Sequence, residues 1–242
     1  MTPVDLFETL TSTQTEALNR LRAEDRGPRW IRAERQTAGQ GRMGRQWEGP
    51  PGNLMASWYG VLPVEIRKVT QLSFVTALAV TDVVRPLLRT PEPLKIKWPN
   101  DVLYDGRKLC GILAQSESLD SGLGLVIGIG LNIAEAPDVK TYGTAAVNAL
   151  TDRPQSAESL LAAIDQALDI RIRAWLEAGF EATAAQWWDQ AYGRDRICLI
   201  EQGKQTVSGT ILGLDDYGAL RVRDLSGDIH VVSGGSVTYA EV

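Results

Sequence analysis

The segment RQTAGQGRMGRQW (residues 35–47), running on into EGPPGN (48–53), constrains the chain more than any other. Gly39, Gly41 and Gly44 spell G-x-G-x-x-G, yet a dinucleotide fingerprint has to open a helix, because the pyrophosphate sits on that helix's N-terminus. Two prolines and two glycines follow at once, so no helix starts and the dinucleotide reading fails. Gly39 to Gly44 also matches the start of a P-loop, but Arg45-Gln46 stand where that loop needs Lys and Ser or Thr. What remains is a loop whose glycines let backbone amides approach a ligand, and whose Arg42 and Arg45 can fork onto phosphate or carboxylate. Taken by itself, the composition also fits a solvated surface loop.

A second stretch, LKIKWPNDVLYDGRKLCGILAQSE (94–117), tips the balance toward a site. Leu94, Ile96 and Trp98 alternate with Lys95 and Lys97 as in a half-buried strand. Pro99-Asn100-Asp101 breaks it, Asp105-Gly106-Arg107 turns the chain, and a new apolar run begins at Leu109. Lys97, Asn100, Asp101 and Lys108 are thereby brought to one hairpin end.

Elsewhere the pattern is of mixed helices and strands. Thr13-Gln14-Thr15-Glu16 has the form of a capping box, opening a short helix with Ala17, Leu18 and Leu21 on its apolar face. Arg29 to Glu34 reads as a strand entering the Gly/Arg loop, and Asn53 to Leu62 as one leaving it. Apolar residues recurring from Glu65 to about Leu88 predict one long amphipathic helix ending near Pro86. Leu123 to Ile133 reads as a strand with glycines at 124, 128 and 130, which implies close approach of a backbone or ligand, or a helix packed tightly on it. Ser156 to Glu177 predicts a second long helix stopped by Gly179, with a shorter one at Trp187-Trp188. From Gly193 onward, five short β-rich runs (197–200, 207–212, 220–222, 229–232, 237–239) are separated by turn signals at Gln202-Gly203-Lys204, Asp216-Tyr217-Gly218, Ser226-Gly227-Asp228 and Gly234-Gly235. They predict a small five-stranded barrel.

A net charge of −5 argues against a general nucleic-acid binder. The N-terminus lacks the basic start and apolar core of a signal peptide, and no apolar run is long enough to span a bilayer. Cys110 and Cys198 sit in apolar runs and form neither a disulfide framework nor a zinc set, so both are expected as buried thiols in a reducing cytoplasm. With His230 as the only histidine, Ser-His and metal-His mechanisms have almost no material.

The Gly/Arg loop, KWPND, KLCGIL and the later GIGLNI, in this order, resemble the biotin protein ligases (biotin–acetyl-CoA-carboxylase ligases), and the resemblance spans nearly the whole chain. It implies an α+β protein: a mixed-sheet catalytic domain like the class II aminoacyl-tRNA synthetase core over residues 1–192, then an SH3-like β-barrel over 193–242. It implies an enzyme that activates biotin with ATP as biotinyl-5′-AMP and transfers it to a lysine of a biotin carboxyl carrier domain. A homodimer is compatible with it, and no membrane partner is implied. The chain starts about ten residues before its first motif, which leaves no room for the winged-helix repressor domain that some members carry, so specific DNA binding is not expected.

Carried over by motif position, Lys108 lies between the biotin carboxylate and the α-phosphate, and Arg42 closes the loop over both. Ser12, Thr13, Gln14, Gln36, Gly39, Gln40 and Gly41 complete the biotin-side set. Arg45, Trp47, Lys97, Asn100, Asp101 and Asn132 match nucleotide-side positions. Mg²⁺ accompanies ATP, held largely by phosphates and water, and no metal ligands are assigned. Two departures stand out: many members have arginine at the position of Gln40 and asparagine at that of Gln14. Two alternatives remain: a lipoate or octanoate ligase, which shares fold and chemistry, and a non-catalytic biotin or nucleotide binder with a decayed loop.

Overall fold

The alternation of apolar and small or polar residues along the central strands builds a sheet with two different faces. In the computed structural model, which describes residues 1–120, 122–139, 142–194, 196–203 and 205–239, seven strands form one mixed sheet. They are β1 (Val4–Leu10), β2 (Arg29–Gln36), β3 (Leu54–Val61), β4 (Leu94–Lys97), β5 (Asp101–Tyr104), β6 (Arg107–Leu119) and β7 (Gly122–Leu131), in the order β1-β2-β3-β7-β6-β5-β4. β1 and β2 are parallel, joined through helix α1 (Thr13–Arg22), and the other pairs are antiparallel. Leu125, Ile127, Ile129 and Leu131 of β7, with Leu54, Ala56 and Trp58 of β3, face a large core covered by α2 (Gln71–Val84) and α3 (Ala157–Ala178). Val126 and Tyr59 point the other way, under Ala17 and Leu21 of α1.

Two expectations are corrected, and one strand has no counterpart among them. The cap of α1 is Ser12, whose side chain accepts from the Thr15 N–H, one residue earlier than the box at Thr13–Glu16. The segment 65–88 is not one amphipathic helix: α2 is flanked by 3-10 turns at Ile66–Lys68 and Arg85–Leu87, and eleven of its fourteen residues are buried. The sheet covers one side of it and α3 and α4 (Glu181–Asp189) cover another, so a polar stripe has no solvent to face. β1 was not anticipated, because as a sheet edge it alternates only weakly, with Val4 and Leu6 exposed.

The five C-terminal strands are β8 (Ile197–Gln202), β9 (Gln205–Leu214), β10 (Leu220–Arg223), β11 (Ile229–Val232) and β12 (Ser236–Tyr239), hydrogen-bonded in the order β11-β10-β9-β8-β12. Lys204, placed in the expected first turn, lies outside the described residues. Ile200, Ile211, Leu220 and Val237 belong to the same core as the large sheet. Gln71 Nε2 and Trp98 Nε1 donate to the carbonyls of Asp216 and Gly218, at 2.7 and 3.0 Å, which ties the β9–β10 turn to α2 and to the end of β4. The small sheet is thus fixed beside the hairpin that carries Lys97 and Asp101.

Candidate active site

On the α1 side of the sheet, β3, β6 and β7 present Met55, Ser57, Gly111, Leu113, Gly128 and Gly130 to a cleft of about 710 Å³. Gly128 and Gly130 of β7 make its floor, and Gly124 lies further along the strand under α1. A Cβ on Gly124 would lie 3.0 Å from Leu21 Cδ1, one on Gly128 2.5 Å from Gln14 Oε1, and one on Gly130 2.2 Å from Trp47 Cε2. Gly111 is paired with Gly130 across β6 and β7, and its Cβ would lie 2.9 Å from Trp47 Cζ3. Both readings of this glycine strand are therefore met in part: α1 packs closely at its start, and the site wall rests on its end.

The N-terminus of α1 supplies an uncharged polar pocket. Ser12, Thr13, Gln14 and Ser57 are buried. Thr13 N donates to Gln36 Oε1 at 2.7 Å, and Thr13 Oγ1 lies 2.9 Å from Ser57 Oγ. Ser57 Oγ donates to Gln14 Oε1 at 3.0 Å, and Gln14 Nε2 donates to Gln115 Oε1 at 2.9 Å.

The Gly/Arg loop forms the mouth. Gln40 bridges to Gln46, and Gly41 N donates to the Arg45 carbonyl at 2.7 Å. Trp47 N donates to the carbonyl of Gly39, which is buried and lies behind the cleft wall. Arg42 Nη1 donates to Asn100 Oδ1 at 3.1 Å, and Arg45 Nη2 to Ser236 Oγ of β12 at 3.0 Å. Gln40 turns to α1, where its Nε2 donates to Thr15 Oγ1 at 3.1 Å.

The hairpin end gathers the charges as the KWPND spacing requires. Lys97 pairs with Asp101 across β4 and β5, and Lys108 Nζ lies 2.8 Å from Asp101 Oδ1. The ammonium is also 5.5 Å from the ring centres of both Trp47 and Tyr142, within cation–π range. Lys97 Nζ lies 5.8 Å from the ring centre of Tyr239. Burial pulls the Lys97 ammonium below its usual value; Asp101 opposes this, while Lys108 and Arg45 add to it. Burial likewise lowers Arg42, again opposed by Asp101. Among the described residues lining the cleft, Arg42, Arg45, Lys97, Lys108 and Arg196 face one carboxylate, Asp101. Among these residues positive charge is in excess.

Asn132 does not line this cleft. It borders a small adjoining space of about 70 Å³ together with Trp47, Lys108 and Tyr142. Its Nδ2 donates to the Lys108 carbonyl at 3.3 Å, leaving a buried Oδ1 without a partner. Trp47 Nε1 and the Tyr239 hydroxyl are also buried and unpartnered. Unmet buried polar atoms are costly, and three of them beside one cleft are places for ligand groups. Sequence reasoning missed Ser57, Tyr142, Arg196, Ser236 and Tyr239. The last three come from the C-terminal segment, and no motif announces them.

The mixed sheet, glycine floor and cationic hairpin define an α+β ligand-activating site, and comparison assigns its family. The chain belongs to the biotin/lipoate A/B protein ligase family, whose model matches residues 6–132, and the biotin protein ligase C-terminal domain matches residues 195–238. Two similar relatives are each named biotin–[acetyl-CoA-carboxylase] ligase. That of Paracoccus denitrificans is 34% identical over 223 residues, covering 89% of this chain and 92% of the relative. That of Mycobacterium tuberculosis is 35% identical over 214 residues, 86% of this chain and 77% of the relative. The fold is shared with the biotin protein ligase of Aquifex aeolicus in complex with biotin and ATP, at a TM-score of 0.82 and 22% identity over the whole of both chains.

Proposed function

We propose that this protein is an ATP-dependent biotin ligase. It joins the biotin carboxylate to the α-phosphate of ATP with release of pyrophosphate, and then passes the biotinyl group from biotinyl-5′-AMP to a lysine of a biotin carboxyl carrier domain, with release of AMP. The observation that carries this reading is the convergence of Arg42, Arg45, Lys97 and Lys108 on a cleft lined, among the described residues, by one carboxylate, next to an uncharged polar pocket. A family that includes lipoate ligases leaves the acid open. The match of the C-terminal unit and the names of the relatives favour biotin.

A carboxylate does not react with an amine until it is activated, and activation presses one anion against another. Each unit pair 4 Å apart costs about 4 kcal/mol at an effective dielectric of 20. Fixed cations offset that cost, most where charge grows in the transition state. In our assignment Lys108 spans the carboxylate and α-phosphate, leaving Asp101 as it does so. Arg42 covers both groups, and Lys97 and Arg45 hold the outer phosphates, with Asn100 and Asp101 fixing the cations between them. Trp47 and Asn132 offer Nε1 and Oδ1 to the nucleotide.

The ureido ring of biotin takes the polar pocket. Ser12 Oγ accepts from the helix and keeps its hydrogen for the ring carbonyl. Thr13, Gln14 and Gln36 meet the ring edge, and Gly39, Gln40 and Gly41 shape the loop beside it. Mg²⁺ enters with ATP, carried by phosphates and water. Among the described residues, no three His, Cys, Asp or Glu side chains form a metal cluster.

The same reading takes 1–192 as the catalytic unit and 193–242 as an SH3-like unit that finishes the cleft through Ser236 and Tyr239. No helix among the described residues is long and apolar enough to cross a membrane, and both cysteines are free and buried, which suits the cytoplasm. The test is biotin-dependent exchange of labelled pyrophosphate into ATP. Exchange with biotin is expected; exchange with lipoate alone, or none, would overturn the assignment.

A further inference from the structure

Two main-chain groups and one side chain set the proton directions at Gln14, Ser57, Gln36 and Thr13. The Leu113 carbonyl can only accept, so the end of the Gln14 amide that faces it at 3.3 Å is Nε2. Gln14 Oε1 is then the end next to Ser57 Oγ, and Ser57 has to donate. On the other side the Thr13 N–H can only donate, so Gln36 turns Oε1 toward it. Thr13 Oγ1 stands between that Oε1, at 3.1 Å, and a Ser57 oxygen whose hydrogen is already used. Neither offers it a hydrogen, so Thr13 also donates inward. Both hydroxyls therefore turn only lone pairs toward the cleft.

Gln115 strengthens the orientation that the Leu113 carbonyl favours. Gln14 Nε2 donates to Gln115 Oε1 at 2.9 Å, closer than its 3.3 Å contact with Leu113. Gln14 is 3% exposed and pressed onto Gly128, so its amide has no room to swing aside and can only turn over. Turned over, it would donate to Ser57 and free the Ser57 hydrogen to point at the ligand.

We propose that Gln115, which does not itself line the cleft, is a positioning residue for ligand selection: accepting from Gln14 Nε2 at the shorter distance, it adds to the Leu113 contact and keeps Thr13 and Ser57 an acceptor-only pair that reads ligand N–H groups. The inference rests on the biotin-ligase reading. An acceptor-only pair takes an N–H of the ureido ring and rejects an oxygen in its place, since lone pairs would then face lone pairs.

The experiment compares biotin with the two cyclic carbamate analogues in which one or the other ureido N–H is replaced by O, using pyrophosphate exchange. In Gln115→Leu the KM for biotin should rise about fivefold to tenfold, the loss of roughly one neutral hydrogen bond, with kcat within about twofold of wild type. The preference for biotin over the disfavoured carbamate should fall by a similar factor. Gln115→Glu, whose carboxylate accepts from Gln14 in the same way, should keep wild-type values. An unchanged preference in Gln115→Leu would overturn the proposal, as would equal damage in the Glu variant, which marks mere packing. A further arm needs no variant and holds even where Gln115→Leu does not fold: wild type that takes both carbamates as readily as biotin has no acceptor-only pair. Wild type inactive with biotin and both analogues would instead overturn the functional reading itself.

Discussion

Lys108 Nζ sits 2.8 Å from Asp101 Oδ1, an ion pair across β5 and β6 at the edge of the cleft. The pair holds the lysine at the mouth of a site built for anions, and a substrate carboxylate or phosphate competes with Asp101 for it. Because the charge Lys108 would meet grows in the transition state, Lys108→Ala should slow adenylation by about a hundredfold to a thousandfold. Biotin affinity should hardly change. Single-turnover formation of the adenylate, set beside calorimetric biotin binding, separates the two, and a rate within a few-fold of wild type would remove Lys108 from this role.

Lys97 carries the pH dependence. Burial puts its folded pKa below the ordinary 10.5, so between the folded and unfolded values the unfolded chain binds the extra proton and stability rises with pH. A bound phosphate favours the charged form, so nucleotide binding should take up protons, and ATP affinity should weaken as pH rises through the free-enzyme value. Calorimetry over a series of alkaline pH values below the ordinary lysine value, in buffers of different ionisation enthalpy, detects that uptake. Lys97→Met should abolish it, weaken ATP binding, and stabilise the empty protein by on the order of 1 kcal/mol. Unchanged proton uptake in the variant would place the titration elsewhere.

Gly130 is predicted to tolerate no side chain. Its Cβ would fall 2.2 Å from Trp47 Cε2, inside the indole that rests on Gly111 and Gly130. Gly130→Ala should therefore push Trp47 out of the wall and cost about 1–3 kcal/mol of stability. The change should appear as a lower melting temperature together with weaker ATP binding by calorimetry. Wild-type melting and ATP affinity would show that the shelf can yield.

The loop should be held from both sides when occupied. Its arginines reach Asn100 and Ser236, whereas Gln40 reaches only Thr15. Biotin plus ATP should protect residues 38–46 from proteolysis, and Gln40→Arg should slow release of the adenylate by adding a charge-assisted contact. No protection by ligands would remove the loop as a lid.

Local chemistry made the hairpin legible: the break at Pro99, the turn at Asp105-Gly106 and the alternation of Leu94, Ile96 and Trp98 place Lys97, Asp101 and Lys108 together, and the structure does so. The buried character of α2 was not legible, because it depends on what covers the helix and not on its own spacing. β1 was hidden by its place at the sheet edge, where exposed Val4 and Leu6 give no clean alternation. Arg196, Ser236 and Tyr239 enter the cleft only because the small sheet docks on α2 and Trp98, a contact between segments more than a hundred residues apart. Gln14 illustrates the limit well: its departure from the asparagine that many family members carry was readable, but its partnership with Ser57 and Gln115 required the sheet register.

The most direct test of the account is transfer itself. Purified protein, ATP, Mg²⁺ and biotin should add one biotinyl group to the acceptor lysine of a biotin carboxyl carrier domain, seen as a single mass shift that needs ATP and disappears when that lysine is replaced by arginine. Modification by lipoate in place of biotin, or an unmodified carrier domain with active ATP and biotin present, would contradict it.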